Sequence, residues 1–190
     1  HVEAAVDAHV KLGFDDSGGL WGGLDLADEG PDTNALVRGR GAVIKYAEEI
    51  AERDPGAVAR RVFRTCRGGG QITLQYDAGG GFGGSVKSEF NRLREDEGVD
   101  MAWLSLVPWS AAGAVLDPGE PILPNDKSAP TNKNFFENFK AQAWWRVSRM
   151  FYRTWRAVTE GTEYPPDQLI SLDSAAIPRP TLLKLMRELS

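Results

Sequence analysis

The sequence predicts an α/β domain built on a mixed β-sheet. Three observations point there. Strand-like runs come first and are joined by turn residues, which favours antiparallel neighbours. Helix-like and strand-like segments then alternate, as parallel additions require. Two of the strand patterns, "WGGLDLA" (21–27) and "QITLQYD" (71–77), each run into an aspartate.

Each element follows from a local pattern. Residues 2–12 read as a helix, with Val2, Ala5, Val6 and Val10 on one side. The first strand, 21–27, carries Asp25, and the turn-rich stretch "DEGPDTN" follows it. "ALVRGRGAVIKYAEE" reads as two strands around Gly39-Arg40-Gly41, a hairpin signal. Residues 55–67 suit a helix with Pro55 near its start and an apolar stripe of Val58, Val62 and Cys66. "GGG" at 68–70 ends that helix, and Ile72, Leu74 and Tyr76 alternate along the next strand. A glycine loop at 79–84 leads to a helix at 84–95, and "MAWLSLV" (101–107) gives a fifth strand. Residues 108–133, rich in Pro, Gly, Asn and Asp, are too long for a plain connection and read as a functional insertion or mobile flap. The longest helix spans 134–160, and a short one lies near 181–189. This order is the ribonuclease H-like arrangement: about five strands flanked by helices, with a flap-and-helix insertion, in one domain spanning 1–190.

Composition bounds the function. A chain of 190 residues with 42% hydrophobic and 26% charged residues suits one soluble domain with a real core. No run of 18 apolar residues is present, so no membrane span is expected, and the first residues lack the features of a signal peptide. Cys66 is the single cysteine, which excludes an internal disulfide or a cysteine metal cluster and suggests a reducing compartment. The net charge of −5 argues against a generally basic nucleic-acid binder, so any such contact needs a local patch. The chain opens within one helical pattern and stops just after another, which reads as a domain excised from a longer protein.

Asp25 and Asp77 carry the chemistry. A carboxylate within an apolar strand costs several kcal/mol unless it is paired or faces a cleft. Two such strands side by side would present both acids at one edge, the hard oxygen donors that Mg²⁺ or Mn²⁺ takes. Two ions roughly 3.5–4 Å apart suit phosphodiester cleavage. Capping of strand-end turns is the competing reading of either aspartate alone. Asp28, Glu29 and Asp32 follow Asp25 within one loop, and Asp32 is the best further ligand among them. Asp167 and Asp173 are weaker candidates, Asp167 reading as an N-cap, and His9 reads as a bystander. The run "GGGFGGSVK" lacks the Gly-Lys-Ser/Thr ending of a P-loop, so no nucleotide site is expected. Gly79, Gly80 and Gly81 instead suit a tight turn that lets a scissile phosphate approach; plain flexibility is the alternative.

The 134–160 helix has two sides. Phe139, Ala143, Val147, Met150, Phe151, Trp155 and Val158 form the apolar one. Arg146, Arg149, Arg153 and Arg156 line the other, beside Trp145 and Tyr152. A basic stripe with aromatics suits a DNA backbone, and a solvated face is its ordinary meaning. Arg38 and Arg40 in the hairpin are further candidates for holding a duplex.

The stretches "GGLDLADEGPDTNAL", "LQYDAGGGFGGSVKSEFNRL" and "NKNFFENFKAQAWWRVSRMFYRTWRAV" together resemble the C-terminal nuclease domain of tailed-phage terminase large subunits. The tail "YPPDQLISLDS…LLKLMRELS" is similar to the same family. The resemblance implies a ribonuclease H-like enzyme that cuts concatemeric double-stranded viral DNA with two divalent metals, Mg²⁺ or Mn²⁺, during genome packaging. By match, Asp25 is the family's acid on the first strand and Asp77 its acid on the fourth. The family's third acidic cluster is expected beyond Ser190, and its ATPase half is absent from this chain. Implied partners are duplex DNA, the terminase ATPase domain, the small terminase subunit and the portal, in the host cytoplasm. Two alternatives stay open: a non-cleaving DNA-gripping module of the packaging motor, and another ribonuclease H-like nuclease of resolvase or transposase type.

Overall fold

The computed structural model describes every residue except 28–32, 79, 97–99, 125 and 127. Its frame is a six-stranded mixed sheet. The strands are β1 (Leu20–Asp25), β2 (Asn34–Arg40), β3 (Val43–Ile50), β4 (Ile72–Asp77), β5 (Leu104–Trp109) and β6 (Ser171–Leu172), in the spatial order β5-β4-β1-β2-β3-β6. β1, β2 and β3 run antiparallel in succession, whereas β4 is parallel to β1 and β5 to β4. The five expected strands are present in the expected mixed arrangement. The sixth, two residues beside Val43 and Ile44, is too short to show as a pattern.

The β2–β3 hairpin turns at Gly41, whose φ of +51° favours glycine. A Cβ there would sit 2.0 Å from the Ser17 carbonyl, so glycine is also required sterically.

One face of the sheet is covered by α3 (Pro55–Cys66) and α4 (Gly80–Asp96). Asp54 caps α3 by accepting the Ala57 N–H at 2.7 Å, and Pro55 fills the first turn. The stripe Val58, Val62 and Cys66 is buried with Leu24, Leu36, Ile72, Leu74 and Tyr76, as the periodicity requires. Each large apolar side chain removed from water there contributes about 2 kcal/mol.

The glycine run is helical, which corrects the expected loop. Gly80 and Gly81 open α4, and Gly83 and Gly84 lie within it. The reason is close packing against the strand exit: a Cβ on Gly83 would meet the Asp77 carbonyl at 2.6 Å and Ala78 Cα at 2.9 Å. Glycine's poor helix propensity is here outweighed by the need for backbone contact.

Among the described residues, the other face is covered on one side only, by α1 (Val2–Ala5), α2 (Ala8–Leu12), α6 (Phe139–Glu160) and α7 (Arg179–Glu188). Val2, Ala5, Phe151, Leu172, Ile177 and Leu182 form its core with Ala47 of β3. The expected helix over 2–12 is broken. Asp7 adopts φ +54°, Val6 bridges Leu172, and the Asp7 carboxylate accepts from the Ser174 N–H and hydroxyl at 2.8 and 2.6 Å. The long helix likewise starts later than expected. Asn138 caps it by accepting the Ala141 N–H at 3.0 Å, which separates it from the short α5 (Asn132–Phe135). No described helix is long and apolar enough to cross a membrane.

Candidate metal centre

Side-chain alternation decides where the two aspartates point. On β4, Ile72, Leu74 and Tyr76 face the α3–α4 core. Thr73, Gln75 and Asp77 therefore lie on the opposite face. On β1, Leu24 faces the same core and a Cβ on Gly22 would touch Leu74, so Asp25 shares the Asp77 face. The parallel register runs to Leu24↔Tyr76, and Asp25 and Asp77 are the next residues on each strand. Neighbouring strands lie about 4.8 Å apart. The two carboxylates are thus adjacent at the carboxyl end of the sheet, Asp25 exposed and Asp77 half-buried.

Two acids side by side repel, and a shared divalent cation removes that repulsion. Hard carboxylate oxygens from two rigid strands fit Mg²⁺, Mn²⁺ or Ca²⁺ better than soft thiol-binding metals. Among the described residues no group of three or more His, Cys, Asp or Glu side chains is placed to hold a metal. Asp28, Glu29 and Asp32 lie outside the described residues, as does Gly79. Asp173 caps its own turn, accepting from Ala175 and Ala176, just after β6 at the far edge of the sheet. Asp167 lies in a 3₁₀ turn over Pro166–Gln168. Cys66 is buried in the core, where burial pushes its thiol pKa up and keeps it in the neutral, unreactive form.

Gly80 and Gly81 begin α4 within four residues of Asp77, so the amino end of that helix sits at the carboxylate edge. Sequence reading missed Trp109. It ends β5 beside Asp77, on the same face, and its carbonyl accepts the Ala78 N–H at 2.9 Å. Its ring meets Phe139 of α6 with centroids 5.9 Å apart. The strand pattern 101–107, carried two residues further along the alternate positions Ser105 and Val107, would have included it.

The arginines separate by position. Arg38 lies on the α3 side of the sheet, opposite the carboxylates, stacked 4.5 Å above the Tyr46 ring. Its Nε is buried with no hydrogen-bond partner. Burial and the Glu48 carboxylate push the neighbouring Tyr46 pKa up, while Arg61 holds Glu48 below its usual range against the effect of burial. Arg40 pairs with Leu20 at the other end of β1 and donates to the Gly18 carbonyl at 3.2 Å. Five residues of strand put it about 17 Å from Asp25. On α6, Arg146 pairs with Asp117 at 3.5 Å, Arg149 lies 5.2 Å over Tyr152, and Arg156 donates to Glu160 at 2.7 Å and to Tyr164 at 3.2 Å. Arg153 is half-buried. Counting from Phe139 at 1.5 Å per residue, Arg146 is about 10 Å along the axis and Arg156 about 26 Å. The stripe leads away from the carboxylate end, and only its first members lie near it.

The strand order and crossover pattern define a ribonuclease H-like α/β fold. No protein-family model matches the chain, and no curated protein sequence matches it. Solved structures do. The nuclease domain of the large terminase subunit gp2 of bacterial virus Sf6 matches 99% of this chain and 77% of that one, with TM-score 0.79 and 24% identity. A mutant gp2c of the large terminase subunit from bacteriophage Sf6 with calcium matches at TM-score 0.80 and 25% identity over 99% and 78% of the two chains. A mutant with manganese and beta-thujaplicinol matches at TM-score 0.81 and 24% identity over 99% and 77%. The fold of this chain is that of the terminase nuclease domains its sequence resembles.

Proposed function

We propose that this chain is a metal-dependent endonuclease domain of a tailed-phage terminase large subunit, cutting concatemeric double-stranded DNA during packaging. The observation that carries the reading is the Asp25–Asp77 pair, adjacent on one face at the carboxyl end of two parallel strands. The manganese and calcium of the Sf6 structures support the same donor chemistry.

Asp25 and Asp77 hold the divalent cations, Mg²⁺ or Mn²⁺, with Asp32 as a further ligand. When bound, two such ions activate water and neutralise the phosphoryl group and leaving oxygen. The chain's own groups do the rest. The rigid strands fix the carboxylates, and the amino end of α4, with Gly80 and Gly81, offers N–H groups and room to a phosphate. Trp109 and Phe139 exclude water on the β5 side. Arg146 and Arg149, nearest that end of α6, are placed to meet a flanking phosphate by simple charge attraction. ATPase domain, small subunit and portal are the partners of this reading, in the host cytoplasm.

A second reading is a DNA-gripping module that does not cut, consistent with the net charge of −5 that leaves any duplex contact to a local patch. Plasmid cleavage with Mn²⁺ and with Mg²⁺ decides between them. Wild type should nick and linearise DNA, and Asp25→Asn and Asp77→Asn should each lose about 100-fold or more in rate with unchanged melting temperature. Equal cleavage by both variants would remove the site, and binding without cleavage under either metal would favour the gripping module.

A further inference from the structure

The helix behind the sheet carries a charge pattern that the cutting site does not use. From Pro55 to Tyr76 the chain holds four arginines, Arg60, Arg61, Arg64 and Arg67, and no acid, although acids outnumber bases in the chain as a whole. α3 sets their direction. Val58, Ala59, Val62, Phe63 and Cys66 are buried in the core, so the arginines are left on the outer side of the helix. Arg60, Arg64 and Arg67 fall within about 60° of one another around the helix and within about 10 Å along it. Arg61 lies beside them.

Two of the four are spent on acids. Arg60 meets Asp54 at 3.6 Å, and Arg61 donates to Glu48. Arg64 and Arg67 are exposed, and among the described residues neither has an acidic partner. The Arg67 guanidinium sits 5.7 Å over the Phe63 ring, which narrows its range of positions. Like charges three and four residues apart work against a helix, and a polyanion laid along them removes that cost.

The surface fits a polyanion better than a folded protein. A protein interface has an apolar centre, and none of the described exposed large apolar side chains, Val10, Leu116, Leu123, Phe135, Trp144 and Leu183, lies on α3. All four cations are arginine, whose planar guanidinium binds phosphate oxygens by two parallel hydrogen bonds. α3 also covers the sheet face opposite Asp25 and Asp77, so one straight duplex cannot touch both.

We infer that the outer side of α3, through Arg64 and Arg67 with Arg60 and Arg61 beside them, grips the phosphate backbone of a duplex DNA segment other than the one at the carboxylates. That the polyanion is DNA rests on the nuclease reading; the arginine stripe itself does not.

The test is fluorescence anisotropy with a short labelled duplex over a salt series, in EDTA so that no metal-held contact contributes. Arg64→Gln combined with Arg67→Gln should raise Kd about tenfold at low salt and lower the slope of log Kd against log salt by about two. Arg64→Lys with Arg67→Lys keeps both charges and should keep the slope. Cleavage of the short duplex in Mn²⁺ should hold its kcat within about twofold in the glutamine variant, because neither residue is at the carboxylates. If the glutamine pair does not fold, Arg64→Gln alone is read in the same way, with a slope lower by about one. A wild-type Kd and slope in the glutamine variant would overturn the inference, and an acidic protein as the real partner of the stripe would give that result. A slope lost equally in the lysine variant would overturn it too. Wild type that binds duplex but never cuts it removes the nuclease reading and leaves anisotropy to decide the stripe. Wild type that binds no duplex overturns the inference.

Discussion

The two faces of the sheet are finished differently. Behind β4, β1 and β2, α3 and α4 seal the surface, and Leu36, Ile72 and Leu74 are fully buried between them. On the opposite face α1, α6 and α7 pack at the β2, β3 and β6 side, while Thr73, Gln75 and Ser105 remain exposed on β4 and β5 near Asp25. The same strands thus serve both purposes through their two-residue period. One set of side chains supplies cohesion. The other set carries polar groups that need no packing partner, and the rigidity of the first set fixes the second. Residue parity therefore separates the packed set from the set that includes Asp25 and Asp77.

The sharpest break of this comparison lies in the sealed face. Leu74→Ala should cost about 3 kcal/mol of stability, read by urea denaturation, because it opens a cavity among Leu36, Tyr76 and α4. Its cleavage rate per folded molecule should stay within about twofold of wild type. A large loss of rate in the folded fraction would show that the faces are not independent.

Gly83 and Gly84 sharpen it further, since they are neighbours with opposite surroundings. A Cβ on Gly83 meets the Asp77 and Ala78 backbone, whereas one on Gly84 meets nothing within 4 Å. Gly83→Ala should destabilise by roughly 1–2 kcal/mol and lower cleavage beyond its effect on folding, because the atoms that must move belong to Asp77. Gly84→Ala should stabilise by up to about 1 kcal/mol through helix propensity, with cleavage unchanged. Equal outcomes for the pair would refute the close approach.

The smallest effect is that of acid. Glu48 is held below its usual value of 4.5 by Arg61, across β3 and α3. Asp7 is held below 3.8 because hydrogen bonds from Ser174 outweigh burial. Depressed carboxylates contribute stability that is present above their unfolded values and lost as pH falls through the folded ones. The melting temperature should therefore decline as pH drops below about 4.5, and Glu48→Gln should flatten part of that decline. An unchanged slope would assign it to other carboxylates.

Much of this was legible in the sequence because it depends on periodicity. β1 and β4 announce themselves by apolar runs that reach an aspartate, and the order of elements gives the mixed sheet. Other features depend on tertiary demands that no local pattern records. The glycine run reads as a loop because propensity says so, yet a helix must lie against the Asp77 carbonyl. Arg38 reads as a surface cation, but charge does not reveal on which face of a strand a residue falls. β6 is two residues long, below any periodic signal. Trp109 lies beyond a strand end that turn residues blur.

The contact between the N-terminal helices and β6 has an entropic consequence. The Ser171 hydroxyl bonds the Ala5 carbonyl across 166 residues, and His9 joins the same hydroxyl at 2.8 Å. Closing a flexible loop of that length costs about 4.5 kcal/mol in chain entropy, before any contact offsets it. Strands β1 to β5 close much shorter loops. The seam between residues 5–9 and 171–174 is thus the contact a fully flexible chain closes at the greatest entropic cost, and that cost falls once β1 to β5 have shortened the loop between them.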